Sequence, residues 1–126
     1  LGPSQLELVE LENESARRIY KDRYWGDKGF IHLCFDVKRM DALKAECAEA
    51  GFQFTVDSEN TFEMSTAGGR FSYIEDPDGT LIEFIETHRI PLIEKVGWYL
   101  NLNNRDHEKP LPRWMLYLFG LKRIRD

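Results

Sequence analysis

The sequence predicts an α+β fold, and three observations carry that prediction. Apolar and polar residues alternate over residues 30–37 and again over 81–86, the period of a strand with two different faces. Between these segments Met40, Leu43, Cys47 and Ala50 recur at spacings of three, four and three, which is one face of a helix. Gly51 stands where a helix-ending glycine belongs, and Asp76-Pro77-Asp78-Gly79 is a tight-turn sequence, with Pro presetting φ and Gly free to take positive φ.

In chain order, Gln5–Leu11 is rich in Leu and Val and reads as a strand. Residues 12–28 are polar and read as a linker, with Asn13 or Ser15 able to cap a short helical turn over Ala16–Tyr20. Gly26, Asp27 and Gly29 break the chain ahead of a new unit. Phe30–Val37 is its first strand, with Ile31, Leu33, Phe35 and Val37 on one face and His32, Cys34 and Asp36 on the other. A helix over Asp41–Ala50 follows, then a strand over Phe52–Val56, with Thr61–Ser65 extending it or opening the next pairing. Gly68-Gly69 is expected to turn the chain into a strand over Arg70–Glu75, and Leu81–Glu86 is the last strand. The order over 29–88 is therefore β-α-β-β-β. Residues 89–126 form a helical C-terminal extension, with Leu92–Leu100 and Arg113–Phe119 as its helices.

Composition bounds the function. A 126-residue chain with 42% hydrophobic and 31% charged residues can bury a modest core and is not a disordered polymer. No apolar run is long enough for a membrane-spanning helix, so no membrane partner is expected. Cys34 and Cys47 are too few for a disulfide framework and read as buried reduced thiols, which fits a cytoplasmic location. Charge is uneven: residues 1–88 hold nine basic and eighteen acidic groups, residues 89–126 eight and four. The basic end is interleaved with Trp98, Tyr99, Trp114, Leu116, Tyr117 and Phe119, the pattern of a segment docking on an acidic body, and nucleic acid is not an expected partner.

Residues 4–10 and 80–86 share the form x-x-apolar-Glu-apolar-apolar-Glu. The echo casts residues 1–11 as the last strand of a preceding copy of the same unit. A first residue that is Leu rather than Met agrees with an expected truncation upstream.

Gly29-Phe30-Ile31-His32-Leu33-Cys34-Phe35-Asp36-Val37, the helix ending at Gly51, and Phe71 through Phe84 with its Asp-Pro-Asp-Gly turn together resemble the vicinal oxygen chelate superfamily, which includes glyoxalase I, the bleomycin resistance proteins and the extradiol dioxygenases. The resemblance covers about half the chain. It implies a glyoxalase-type module in which the first and last strands each give one metal ligand, and two modules forming a cupped mixed sheet around one divalent ion. His32 and Glu83 fall on those two positions, and the echo carries the last-strand position of the preceding module onto Glu7. Alternation gives independent support at Glu83: it shares a strand face with Leu81 and Ile85, where a bare carboxylate is costly unless paired or bound to a cation. A salt-bridged or rim-exposed Glu83 and a structural His32 are the plain alternatives.

One imidazole with carboxylates suits Zn²⁺, Ni²⁺, Mn²⁺, Co²⁺ or Fe²⁺. The resemblance implies Lewis-acid isomerisation or lyase chemistry of the lactoylglutathione lyase kind on an α-hydroxycarbonyl or thiohemiacetal, with Glu83 or Glu7 as the general base. An extradiol dioxygenase needs a second His that no matching position supplies; a non-catalytic, metal-free binder of small molecules is the alternative from another class. Arg70, Ser72 and Tyr73 lie beside the site as substrate contacts or as packing residues, Glu10 and Glu86 point away from it, and neither His88 nor His107 has ligand spacing with a partner. One module makes half a cup, so a homodimer or a missing N-terminal module is the expected partner, and without either no competent metal site is expected.

Overall fold

A computed structural model describes residues 5–10, 12, 15, 21–64, 66–106 and 109–120. Among the described residues six strands, β1 (His32–Asp36), β2 (Val56–Asp57), β3 (Phe62–Met64), β4 (Ala67–Glu75), β5 (Leu81–Ile93) and β6 (Trp98–Asn101), form one mixed sheet. Two helices accompany it, α1 (Met40–Glu49) and α2 (Arg113–Gly120), with a 3₁₀ turn at Glu94–Val96. β5 is the central strand. It pairs parallel with β1 and antiparallel with β4 and β6, and the short β2 and β3 both pair with β4.

The β-α-β-β-β order is present with its second strand split into β2 and β3, which both pair with β4, and two of its local signals act as the sequence predicts. α1 ends in a reciprocal pair of bonds: Gly51 N donates to Ala48 O and Phe52 N to Cys47 O, with Gly51 at φ 89°. Asp76-Pro77-Asp78-Gly79 closes with Gly79 N donating to Asp76 O at 2.9 Å, while Asp76 Oδ1 accepts from the amides of Asp78 and Thr80. This turn sets β4 against β5 in register, with Ser72 opposite Phe84, Tyr73 opposite Glu83 and Ile74 opposite Ile82.

Alternation divides the sheet into two faces. On the helix side, Met40 is fully buried with its sulfur against the Ser72 hydroxyl, Ile74 is buried, and Phe84 contacts Phe35 and Phe54. Arg70 is buried there too, between Asp41 of α1 at 2.9 Å and Asp57 of β2 at 3.4 Å, and Lys44 donates to Asp57 at 2.8 Å. Burial alone would raise the Asp57 carboxyl; the hydrogen bonds and charges of Lys44, the Glu59 amide and Arg70 hold it below its usual value. The other face carries His32, Cys34, Tyr73 and Glu83.

Several expectations are corrected. Residues 5–10 form no strand and are exposed, because no strand of this sheet pairs with them and a lone strand leaves its backbone bonds to water. Leu92–Leu100 is not helical: β5 continues through Pro91 to Ile93, and the chain returns as β6, paired Arg89 to Asn101 and Pro91 to Tyr99. Gly68-Gly69 is not a turn but lies within β4 at a register shift, where a Cβ on Gly68 would come within 2.8 Å of the Arg89 side chain. The expected strand over Phe52–Val56 shrinks to Val56–Asp57, since Phe52 is spent on closing α1. Cys34 is exposed and Cys47 half-buried rather than both being interior. α2 matches the second expected C-terminal helix. The helical turn over Ala16–Tyr20, its Asn13 cap and His107 lie outside the described residues. Among the described residues, no helix is long and apolar enough to cross a membrane.

Candidate functional site

The parallel register of β1 and β5 sets Cys34 opposite Glu83 and His32 opposite Leu81, so two period-two strands deliver imidazole and carboxylate to one face. His32 Nε2 lies 3.0 Å from Glu83 Oε2, with 27% and 13% of the two side chains exposed. Tyr73, opposite Glu83 on β4, donates its hydroxyl to Oε1 at 2.6 Å. Both carboxylate oxygens are therefore engaged, each from a different neighbouring strand.

The groups around Glu83 respond to it. Burial raises the Tyr73 phenol well above its usual range, and the hydrogen bond and charge of Glu83 add to this. Partial burial likewise pushes the Cys34 thiol up to about 11, again with a hydrogen bond and charge from Glu83. Both groups stay protonated at neutral pH, and the Tyr73 hydroxyl serves the carboxylate as a donor.

Aromatic rings frame the pair. His32 and Tyr73 meet nearly perpendicular with centroids 5.5 Å apart. Trp25 touches both, at 5.8 Å from His32 and 5.7 Å from Tyr73. Phe71 and Phe62 continue the row along β4 and β3. The tautomer of His32 that donates from Nε2 leaves Nδ1 as an acceptor, and this enclosed atom has no hydrogen-bond partner among the described residues.

The pair fits two adjacent positions around a divalent ion. Ligand atoms about 2.0–2.2 Å from an ion lie roughly 3–3.5 Å apart, and the 3.0 Å separation of Nε2 and Oε2, which is also a hydrogen-bond distance, sits at the close end of that range. Among the described residues, however, no group of three or more His, Cys, Asp or Glu side chains is placed to hold an ion. Glu7, expected as a further ligand and a possible base, is exposed in the strand-less segment 5–10 and is not brought into such a group.

The other expected neighbours divide by strand parity. Arg70 and Ser72 face the helix and are structural, while Tyr73 faces the pair. Glu86 and His88 also lie on the helix side, where Glu86 accepts from the amides of Arg39 and Met40, His88 Nε2 lies 3.4 Å from Glu86, and a cavity of about 360 Å³ opens beside them. His88 falls inside β5 rather than past its end. Sequence reasoning missed two members of the site. Cys34 was accessible, being two residues from His32 on the same strand face. Trp25 was not, since it comes from an irregular polar segment with no periodicity to aim it.

The family model described as Glyoxalase/Bleomycin resistance protein/Dioxygenase superfamily matches residues 1–84, a span that ends one residue beyond Glu83. No curated protein and no solved structure matches the chain.

Proposed function

Since the chain belongs to the glyoxalase/bleomycin resistance protein/dioxygenase superfamily, we propose that His32 and Glu83 are two ligands of a divalent-metal site that isomerises or cleaves a small substrate with adjacent oxygens, in the manner of a lactoylglutathione lyase. The observation that supports this most is the 3.0 Å approach of His32 Nε2 to Glu83 Oε2, on neighbouring strands of one sheet face.

A bound divalent ion would supply Lewis-acid polarisation of the substrate carbonyl. The chain's own residues account for the proton. Glu83 is the base that takes a proton from the carbon beside the carbonyl, with its carboxylate aimed by the Tyr73 hydroxyl on Oε1. Tyr73 keeps its own proton at neutral pH and so holds the carboxylate without competing for the one it moves. His32 Nε2 partners the second oxygen while no ion is bound and would turn to the ion as a ligand once one is.

Two protein ligands leave the coordination shell incomplete. The remainder comes from a second copy of the chain or from a further module of a longer protein. In the second arrangement Glu7 becomes a ligand when residues 5–10 pair as the last strand of that module. A metal-free binder of small molecules is the second reading, favoured by the engagement of both Glu83 oxygens within the chain itself.

Purified protein dialysed against zinc or nickel, then assayed for metal per chain and for oligomeric state by light scattering, separates these readings. The metalloenzyme reading expects stoichiometric metal in the assembled form, loss of that metal in His32→Ala and Glu83→Gln, and turnover of the methylglyoxal–glutathione hemithioacetal. Protein that takes up no metal in any assembly state would leave the binder as the surviving reading.

A further inference from the structure

Trp25 has no place in the proton chemistry, yet it touches both rings of the site. It contacts His32 and Tyr73 at 55° and 74° to their planes and leaves 63% of its surface exposed. A large indole this open, anchored along one side by two functional side chains, presents a free aromatic surface to whatever occupies the site.

The segment that carries it is constrained by several local bonds. Arg23 donates to Lys28 O at 2.6 Å and to Phe30 O at 3.4 Å, Asp27 Oδ2 accepts from the Tyr24 amide at 2.9 Å, and Asp27 N donates back to Tyr24 O at 3.0 Å. Gly29 takes φ 113°, a backbone conformation that favours glycine. A small cavity lined by Arg23, Tyr24, Trp25, Ile31 and Leu81 opens beside the indole, and Leu81 is the register partner of His32. The surface is thus preformed, with an apolar slot next to it, and a ligand placed there costs little reordering of the protein.

We infer that Trp25 is the specificity-determining residue of the site, a stacking wall that selects substrates carrying a flat aromatic group next to their paired oxygens. The inference rests on the proposed metal-assisted reading, because that reading puts the paired oxygens at His32 and Glu83. A ring on the carbon that carries one of those oxygens would lie toward the indole, whose centroid is 5.8 Å from that of His32.

Mandelate and lactate test this directly, since both carry a hydroxyl next to a carboxylate and differ in a phenyl ring against a methyl group. Trp98→Phe/Trp114→Phe leaves Trp25 as the sole tryptophan, on protein assembled as isolated and loaded with zinc. Mandelate is expected to bind about five- to tenfold more tightly than lactate and to quench Trp25 fluorescence, the range one aromatic pair with its burial supplies. Trp25→Ala should bring the mandelate-to-lactate ratio close to one at wild-type zinc content, and Trp25→Phe should retain most of the preference. Zinc and lactate binding with no preference for mandelate, or a preference that survives in Trp25→Ala, would overturn the role of Trp25 and leave the metal reading standing. Failure to hold zinc and to bind either acid would remove the metal reading, and this inference with it.

Discussion

Tyr73 and Glu83 face each other in register across β4 and β5, and the Tyr73 hydroxyl donates to Glu83 Oε1 at 2.6 Å. The relationship fixes which oxygen of Glu83 is left to His32. It also explains why a carboxylate is tolerated on this sheet face: a half-buried acid is stable there only when its lone pairs are met.

Tyr73→Phe removes that bond while keeping the ring between His32, Trp25 and Phe71. A hydrogen bond to a charged acceptor is worth about 1.5–3 kcal/mol, and partial exposure reduces this, so a loss of about 1–2 kcal/mol is expected in urea unfolding at pH 7. An unchanged midpoint would show that Glu83 is held by its strand and by His32 alone.

Cys34 should be a slow thiol despite its exposure. Partial burial comes first among the causes that push it to about 11, followed by the hydrogen bond and charge of Glu83. Alkylation by iodoacetamide at pH 8, followed residue by residue by mass spectrometry, is expected to accelerate at Cys34 by roughly tenfold in Glu83→Gln, since one pKa unit is tenfold in thiolate. Cys47, whose neighbour is Glu46, serves as the internal reference and should not change.

Asp57 links β2 to Lys44 of α1 and to the buried Arg70. Its carboxyl is held below the usual value when folded, so the unfolded chain binds a proton first as pH falls. The stability it contributes is therefore present above the unfolded carboxyl range of about 4 and is lost as pH drops through the depressed folded value. Asp57→Asn is expected to cost about 2–3 kcal/mol at pH 7, largely by leaving Arg70 underpaired, with the gap to wild type closing as pH falls below about 4. A gap independent of pH would mean that the cost is one of packing.

Glu86 caps α1 from another element, accepting from Arg39 N at 2.6 Å and Met40 N at 3.3 Å. The carboxylate satisfies two free amides and opposes the positive end of the helix. Glu86→Ala should destabilise the protein by about 1–2 kcal/mol and speed hydrogen exchange in the first turn of α1. Metal content should stay at the wild-type level, because Glu86 faces away from His32 and Glu83.

Two local signals were legible, while Gly68-Gly69, which lies within β4, and the long-range pairings were not. Gly51 and Asp76–Gly79 act through bonds within a few residues, so the sequence alone suffices to place them. Alternation put His32, Cys34 and Glu83 on the site face and Phe84 on the helix face. It failed from Leu92 to Leu100, where an apolar run suits a helix as well as a strand and the choice is made by pairing between β5 and β6. Pro91 is tolerated within β5 because pairing with β4 has already ended opposite Arg89, so its missing amide falls where β5 has lost one of its two neighbours. The strand expected over Gln5–Leu11 has the right composition and no partner in this sheet, and composition cannot supply one.

β5 holds Glu83 on one face and Glu86 on the other because three residues is an odd separation along a strand. The strand should therefore accept changes of residue far more readily than changes of length. Deleting a single residue between the two glutamates would make their separation even and turn both carboxylates to the same side. Either the site would lose its acid or α1 would lose its cap, and no choice of side chain at Phe84 or Ile85 could restore both.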